Sequence, residues 1–472
     1  MKYRGTITVF LSLILTLMLS LIMAVLESAI YHGERMKTEM IMDMGMDSIF
    51  AEYNRMLLSR YDLYFIDTSY GTERSGMNEV SGHLKHYLEK NCDTSKGSFL
   101  FRGDFFDMKL QSEEVMDISY ASDSTGRVFK RQAIEAIKDI YGISVLDSLI
   151  EKVKKDADDY KDSDFENKDM DAKQAELEEK LAGIDYKIPD NPAAGVFDEK
   201  AGILDFIMDT SGVSKKHIDV SKLASHRKLN TGSGIKAVRE DPDSYINEIL
   251  FDEYIMNKCS DYLDNDGHDA SSYETEYILQ GKNTDIANFR GVTAKLLALR
   301  YAACAVYIMK CEEKRKPVEA VVEVIAAFLS IPPDASKYLA DLILLAWAYG
   351  ESVNDVVRLL AGERVPLVKT DEDWKMPLYG LLSIKANARP TGQKGTGFSY
   401  DDYLRVFLLL MNRNDKVMRT MDVVEMNLRL TDGNRNFRID DCAEYVDAYA
   451  VFKGRGGYEF GIKREQSYLP DF

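Results

Sequence analysis

The chain has 472 residues, which exceeds the roughly 250–300 residues at which one hydrophobic core stops growing, so we expect two or more subdomains. Apolar residues make up 45% of the sequence and aromatic residues 10%, a composition that excludes an intrinsically disordered chain. The net charge of -18 argues against nucleic acid as a partner, because a polyanion gains affinity from clustered Lys and Arg through counterion release.

The first predicted element is a transmembrane helix over residues 7–30, preceded by a cytoplasmic tip of residues 1–6. The run from Ile7 to Leu26 carries no charge and is long enough to cross the hydrocarbon core, which is about 30 Å thick. The following Glu27-Ser28-Ala29 matches the small-residue cleavage site of a secretory signal poorly, so we expect a retained anchor rather than a cleaved signal.

The charges on either side of this run predict its orientation. Lys2 and Arg4 lie closely before it, whereas Glu27 and Glu34 are the first charges after it. Because cytoplasmic flanks carry the excess of Lys and Arg, the N-terminus is predicted to be cytoplasmic. The sequence therefore predicts a single-pass protein of the cell membrane whose bulk is extracytoplasmic.

A juxtamembrane helix over residues 31–60 is predicted to continue the span. Its apolar side chains recur at intervals of four and three residues, which places them on one helical face: Met42, Met46, Ile49, Tyr53 and Met56. This face either packs on the chain's own globular domain, which is the favoured interpretation, or binds a partner helix.

The rest of the chain is predicted to form a small mixed α/β unit over residues 61–145, a charged helix and irregular linker over 146–240, a helical region over 241–430 and a C-terminal β-hairpin over 431–472. The fold class is therefore α+β, with an N-terminal transmembrane helix, a mixed α/β unit, a helical bundle and a hairpin.

Particular residues support several of these elements. The alternation in Tyr61–Ile66 predicts a strand, Thr284 is an expected helix cap, and Ser399 with Asp402 forms an expected capping box. Two later apolar segments, Val318–Ile331 and Leu339–Tyr349, contain acidic residues and are predicted to be buried core helices rather than further spans.

A search for chemical motifs yields no catalytic, cofactor-binding or metal-binding residues. Asp264–Asp269 has alternating carboxylates before a glycine, but the register lacks the first and last ligands of a calcium loop, so a polar turn is favoured. Gly392–Gly397 lacks the spacing of a phosphate-binding loop. His83 and His86 are a close pair without an H-E-x-x-H motif, and we expect surface histidines. We therefore expect neither an enzyme nor a cofactor.

Two stretches near the N-terminus, Arg4–Phe10 and Leu26–Ala29, resemble the N-termini of TadE/TadG-like pseudopilins of Flp (Tad) pilus systems. The resemblance implies a processing site at Gly5. It also implies a subunit contact at Glu27, for which a hydrated carboxylate at the outer membrane interface is the favoured alternative. Phe10 departs from the pilin pattern, since pilins carry a Glu at the fifth residue after such a site.

Three further segments are similar to an uncharacterised Gram-positive family of membrane-anchored proteins associated with Tad/Flp loci: Phe50–Asn54, Tyr61–Asp67 and Leu345–Ser352. The two resemblances together imply an accessory or minor component of a pilus or secretion apparatus that acts by protein-protein contacts.

The expected partners are the membrane, through residues 7–30, pilus, secretion or envelope proteins, and a second copy of the chain through the N-terminal helix. Two alternatives from other classes remain. One is a cell-envelope binding or sensing protein, and the other is an exported enzyme whose site assembles from residues far apart in sequence.

Overall fold

A computed structural model describes residues 3–92, 106, 108–141, 148–156, 158, 207, 210–234, 243–265, 267, 269–329 and 331–469. The chain divides into two compact units, and both are discontinuous in sequence. Unit 1 comprises residues 1–132, 228–240 and 431–472, and unit 2 comprises residues 133–227 and 241–430. The expected α+β fold is confirmed, with a long apolar N-terminal helix, many helices and a C-terminal hairpin.

Unit 1 contains a long helix, three further helices and the β-sheet. Its elements are α1 (Tyr3–Phe50), α2 (Arg55–Tyr61), β1 (Ile66–Asp67), α3 (Met77–Cys92), β2 (Lys109–Tyr120), the start of α4 (Asp123–Tyr141), β3 (Cys442–Lys453) and β4 (Glu459–Ser467). All strand pairs are antiparallel. β3 is central, with β2 along one edge and both β4 and the short β1 along the other.

The core of unit 1 lies between this sheet and two helices. Alternate residues of β3 face the helices because side chains of a strand alternate between its two sides: Val446, Ala448, Ala450 and Phe452. They pack with Met42, Met46 and Ile49 of α1 and with Leu84 and Leu88 of α3. Gly45 allows the two helices to approach closely, since a Cβ there would lie 2.6 Å from Cδ2 of Leu88.

The juxtamembrane helix differs from the expectation of one helix to residue 60. α1 ends at Phe50, and α2 begins at Arg55 after Asn54, whose side chain accepts hydrogen bonds from the amides of Met56 and Leu57. An Asn at this position starts a new helix because it satisfies amides that have no partner inside that helix. The break therefore follows from a local cap.

The strand expected over Tyr61–Ile66 is also wrong in its extent. Tyr61 is the last residue of α2, Asp62 has a left-handed conformation with φ 53°, and only Ile66 and Asp67 pair, with Ala443 and Cys442. The alternation is nevertheless present in the burial, because Tyr61, Leu63 and Phe65 are all fully buried. An alternating pattern indicates which side chains are buried, but a strand also needs a paired neighbour.

Unit 2 is helical in the part that the structure describes. Besides the end of α4 and helical residues at 148–156, its helices are α5 (Tyr245–Lys258), α6 (Glu274–Gln280), α7 (Asp285–Lys310), α8 (Glu312–Leu329), α9 (Pro333–Leu360), α10 (Ile384–Asn387), α11 (Tyr400–Leu410) and α12 (Arg413–Leu428). α7 packs against α6, α8 and α9, while α5 and α6 both pack against α11. Thr284 caps α7 and the capping box of Ser399 and Asp402 is formed, as the sequence predicts.

The two later apolar segments have different environments. Leu344 and Ala348 of α9 are buried, which fits a core helix. α8 buries Val318 and Val322 but exposes Val324 at 71% and Phe328 at 87%, so the expectation of a wholly buried helix is wrong there. Both sides of α8 carry apolar residues, and the apolar pattern alone does not distinguish the covered side from the exposed one.

Candidate functional site

The N-terminal part of α1 is an exposed apolar helix. Side chains on all sides of the helix are exposed by half or more, among them Phe10, Leu15, Leu19 and Met23. The helix is long and apolar enough to span a membrane. Its most apolar stretch of 18 residues has a mean hydropathy of 2.8 and contains no buried residue. α7 is also long and apolar enough to span a membrane, but 56% of its most apolar stretch is buried, as in the core helix of a soluble protein. Soluble proteins rarely expose apolar surface on the scale of α1, so the protein has an N-terminal membrane anchor or signal segment.

The C-terminal part of the same helix belongs to the core of unit 1. Met42, Met46 and Ile49 are at most 1% exposed. Tyr53 lies beyond the end of α1 and forms an isolated bridge with Ile66, whereas Met56 lies in α2 and is 39% exposed. The five residues of the expected face therefore do not share one helix. Three of them pack on the chain's own domain, which was the favoured interpretation, and are covered by it.

Strand β4 runs alongside the part of α1 that follows the apolar run. Polar contacts join them at four positions along the helix. The Tyr458 hydroxyl donates to Glu27 Oε1 at 2.8 Å, and Arg464 Nε donates to Asp43 Oδ1 at 2.6 Å. Farther along, the side chain of Gln466 bonds to Asp47, and the Tyr468 hydroxyl donates to the carbonyl oxygen of Phe50.

The lengths of the two elements agree with this arrangement. From Glu27 to Phe50 the helix rises about 35 Å, and from Tyr458 to Tyr468 a strand rises about 33 Å. The beginning of β4 therefore lies where α1 leaves its apolar part.

The turn between β3 and β4 encloses a carboxylate. Glu34 is fully buried, and its Oε1 accepts a hydrogen bond of 3.1 Å from the amide of Gly456. Its Oε2 has no hydrogen-bond partner among the residues that the structure describes. Gly454 contacts the same carboxylate so closely that a Cβ at this position would overlap it. The glycines of this turn thus allow the hairpin to close over Glu34.

Three aromatic rings meet between α1 and the hairpin at this level, and we call them the aromatic collar: Tyr31, Tyr458 and Phe460. The ring of Tyr31 lies 5.1 Å from that of Tyr458, nearly perpendicular to it, and 5.3 Å from that of Phe460. Edge-to-face contacts at such distances are favourable for aromatic rings. The collar joins the hairpin to the helix one turn beyond Glu27.

The two residues implied by the pseudopilin resemblance have different positions. Glu27 accepts the hydrogen bond of Tyr458, and that bond raises the pKa of the tyrosine. Gly5 lies in α1, at a position for which the structure describes the helix but not the burial of its residues. The collar and Glu34 have no signal in the sequence, because the residues that form them are separated by more than 400 positions.

Unit 2 contains a charged cluster of Arg300, Glu351, Asp355 and Lys369, all within its helical core. Lys369 Nζ donates to Glu351 Oε1 at 2.6 Å and to Asp355 Oδ1 at 2.7 Å. Arg300 donates to Asp355 Oδ2 through two nitrogens, at 2.8 and 3.1 Å. The side chains of all four are completely buried or nearly so. These charges are paired with one another inside the helical core.

Two neighbours of this cluster bear on its chemistry. Burial raises the pKa of the Cys304 thiol, so the sulfur is protonated and is a poor nucleophile. Burial by itself would lower the pKa of Lys369, but the neighbouring carboxylates of Asp355 and Glu351 raise it. An ammonium group held in its charged form is not a base.

The loop with the calcium-like pattern binds the ammonium group of a lysine from the same chain. Lys216 Nζ donates to the carbonyl oxygens of Gly267 and Asp269, at 2.8 and 2.6 Å. Asp266 and His268 lie outside the described residues. In the glycine-containing loop, the amide of Gly392 donates to a carboxylate of the same unit, Glu363. These contacts favour the polar turn and the plain loop that the sequence suggests.

The close histidine pair in α3 shows no metal-binding geometry. His83 Nδ1 lies 3.0 Å from Glu52 Oε2, and its ring stacks on Tyr70 at 3.7 Å. His86 contacts the ring of Tyr87. Across the described residues, no three His, Cys, Asp or Glu side chains are arranged to hold a metal ion.

One region of the chain matches a known protein family. A family model described as a family of unknown function (DUF5702) matches residues 187–454, which include α5 through β3. No curated protein and no solved structure matches the chain.

Proposed function

The chain belongs to the DUF5702 family of unknown function, and we propose that it is a membrane-anchored, extracytoplasmic accessory or minor pseudopilin-like component of a Tad/Flp-type pilus or secretion apparatus. It acts by protein-protein contacts rather than by catalysis. The observation that carries the proposal is α1, which is exposed and apolar at one end and enclosed by unit 1 at the other.

The orientation rests on charge. Lys2 and Arg4 precede the apolar run, and the acidic Glu27 and Glu34 follow it, so the positive-inside rule favours a cytoplasmic N-terminus. The chain beyond Leu26 is then outside. The chemistry of unit 2 agrees with a binding role, since its buried charges are used within the core.

The apolar half of α1 supplies the contact with the apparatus. Helices associate within a bilayer through close packing, and an otherwise unoccupied span offers its whole surface to another helix. That partner is either a membrane helix of the assembly proteins or the span of a second copy. The N-terminal resemblance to TadE/TadG-like pseudopilins supports the first.

A cell-envelope binding protein is the second candidate, and α8 is the observation that favours it. Val321, Val324 and Phe328 recur at helical spacing and are exposed at 45%, 71% and 87%. An exposed apolar face of this kind is typical of a surface that binds another protein.

The experiment is photo-crosslinking in cells from a residue in the apolar half of α1. A photoreactive amino acid at Leu19, which is 61% exposed, should yield adducts with pilus-assembly or secretion proteins that mass spectrometry identifies. The same group at Met44, which is 44% exposed on the enclosed half, is the matched control. Adducts that contain only lipid or unrelated proteins would count against the apparatus.

Topology is tested separately. A Met44→Cys chain should react with a membrane-impermeant maleimide in intact cells above the level of the parent chain. Labelling that appears only after lysis would reverse the orientation.

A further inference from the structure

We propose that the hairpin tip, residues 453–458, and the aromatic collar form a second membrane contact, in which the rings of Tyr31 and Tyr458 and the side chain of Arg455 lie in the lipid headgroup layer next to α1. This inference rests on the part of the proposed function that makes α1 a membrane span. Its partner is the bilayer surface itself, recognised through aromatic rings and a basic side chain.

The first step is the level of Tyr458. Its hydroxyl bonds to Glu27, which directly follows the last residue of the apolar run, Leu26. If Ile7 to Leu26 fill the hydrocarbon core, Glu27 lies at the boundary between hydrocarbon and headgroups. The hydrogen bond therefore holds the Tyr458 side chain at that boundary.

The second step is the height of the turn above this boundary. Glu34, which the turn encloses, lies two helical turns beyond Glu27, a rise of about 10 Å. The headgroup layer of one leaflet is about 5–8 Å thick. The backbone of the turn thus lies a few ångströms beyond the headgroups, and the side chain of Arg455 is long enough to reach back into them.

The third step is chemical suitability. Tyr is enriched at the interface of membrane proteins because its ring is apolar and its hydroxyl is polar, and the collar supplies two tyrosines. Arg455 is exposed at the tip, where a guanidinium can donate to lipid phosphate. Farther along β4, Arg464 and Gln466 bond instead to two acidic residues of the helix, Asp43 and Asp47.

The consequence is a two-point attachment. The span fixes the depth of unit 1 in the membrane, and the tip restricts its tilt relative to the bilayer surface. A single helix without the tip contact would leave unit 1 free to tilt.

The test is depth-dependent fluorescence quenching of the full chain in vesicles of phosphatidylcholine and phosphatidylglycerol that contain spin-labelled lipids. An environment-sensitive fluorophore is placed at Lys453→Cys, at Met44→Cys or at Leu15→Cys. The background chain has the two partly exposed cysteines, Cys92 and Cys311, replaced by Ala. Replacing Lys453 removes a positive charge and so works against the expected result.

We expect headgroup spin labels to quench the fluorophore at position 453 and not at position 44, which lies about 25 Å beyond Glu27. We expect acyl-chain spin labels to quench the fluorophore at position 15. Equal quenching at positions 453 and 44, with position 15 quenched, would overturn the tip contact and leave the anchor intact. Loss of quenching at position 15 would overturn the anchor and the tip contact together.

The contribution of Arg455 is tested by a matched pair of substitutions. Arg455→Gln should raise the phosphatidylglycerol fraction needed for half-maximal quenching at position 453 about fivefold, since one basic residue at an anionic surface contributes about 1 kcal/mol. Arg435→Gln, at an exposed site near the far end of α1, should leave it unchanged. An equal response to both substitutions would overturn the role of Arg455.

Discussion

The hydroxyl of Tyr458 donates a 2.8 Å hydrogen bond to the carboxylate of Glu27, a residue 431 positions earlier in the sequence. The bond joins the first residue after the apolar run of α1 to the residue that precedes β4. Unit 1 is therefore closed by the two ends of the chain, and its N-terminal helix reaches its final packing only when the C-terminal strands are present.

The hairpin turn should not tolerate a side chain at Gly454. We expect Gly454→Ala to lower the free energy of unfolding of unit 1 by about 1–3 kcal/mol, because the added Cβ overlaps the buried carboxylate of Glu34. Thermal unfolding of the full chain in detergent micelles measures the change. The control is Gly82→Ala in α3, where nothing lies within 4 Å and Ala favours the helix. Equal effects of the two substitutions would contradict the enclosed turn.

Two methionines of α1 should differ sharply in their contribution to stability. Met46 is 1% exposed in the core of unit 1, so Met46→Ala should cost about 2–5 kcal/mol through lost contacts and the cavity left behind. Met40 on the same helix is 52% exposed, and Met40→Ala should change the stability by less than about 0.5 kcal/mol. Chemical denaturation in micelles compares them. A small effect at Met46 would mean that this face of α1 is not covered by unit 1.

The charged cluster of unit 2 should depend on its ammonium group. Lys369→Met leaves Glu351 and Asp355 facing each other without their shared cation and should cost about 3–5 kcal/mol. Lys375→Met is the matched control, because the Nζ of Lys375 is exposed and only its backbone amide contacts Glu351. Similar melting temperatures for the two variants would show that the cluster is not paired in solution.

Glu276 should make the stability of unit 2 fall as the pH rises. Burial, together with the nearby charge of Asp261, raises the pKa of Glu276 to about 8 from an ordinary value of 4.5. The folded state therefore binds this proton more tightly than the unfolded state, and the resulting stabilisation is complete below pH 4.5 and lost through pH 8.

Glu276→Gln keeps the acceptor for the Tyr400 hydroxyl and the Tyr262 amide but does not titrate. Melting temperatures of the full chain measured from pH 5 to pH 9 should fall less steeply for this variant than for the parent. Parallel profiles would show that Glu276 does not cause the pH dependence.

The elements that depend on local chemistry could be predicted from the sequence. Thr284 caps α7, Ser399 and Asp402 form their box, and the hairpin follows the glycine-rich turn because each rule involves residues within a few positions. The end of α1 was missed because the Met-rich pattern continues past Phe50, whereas the cap at Asn54 interrupts the backbone.

The candidate site could not be predicted from local sequence rules. Glu27 was identified only by resemblance, and its hydrogen bond to Tyr458 depends on how a distant strand aligns with α1. Glu34 has no local sign of burial, because the turn that encloses it lies 422 positions away. Contacts of this range are decided by tertiary packing, which periodicity and turn chemistry do not encode.

Where α1 spans the membrane as proposed, its unbroken backbone acts as a lever that extends beyond the membrane surface. A bilayer that becomes thinner tilts the spans within it, and spans are tilted by about 20° on average. With about 35 Å of helix secured along β4, a tilt change of about 10° displaces the far end at Phe50 by about 6 Å. Membrane thickness is thereby converted into sideways movement of the sheet that carries the hairpin.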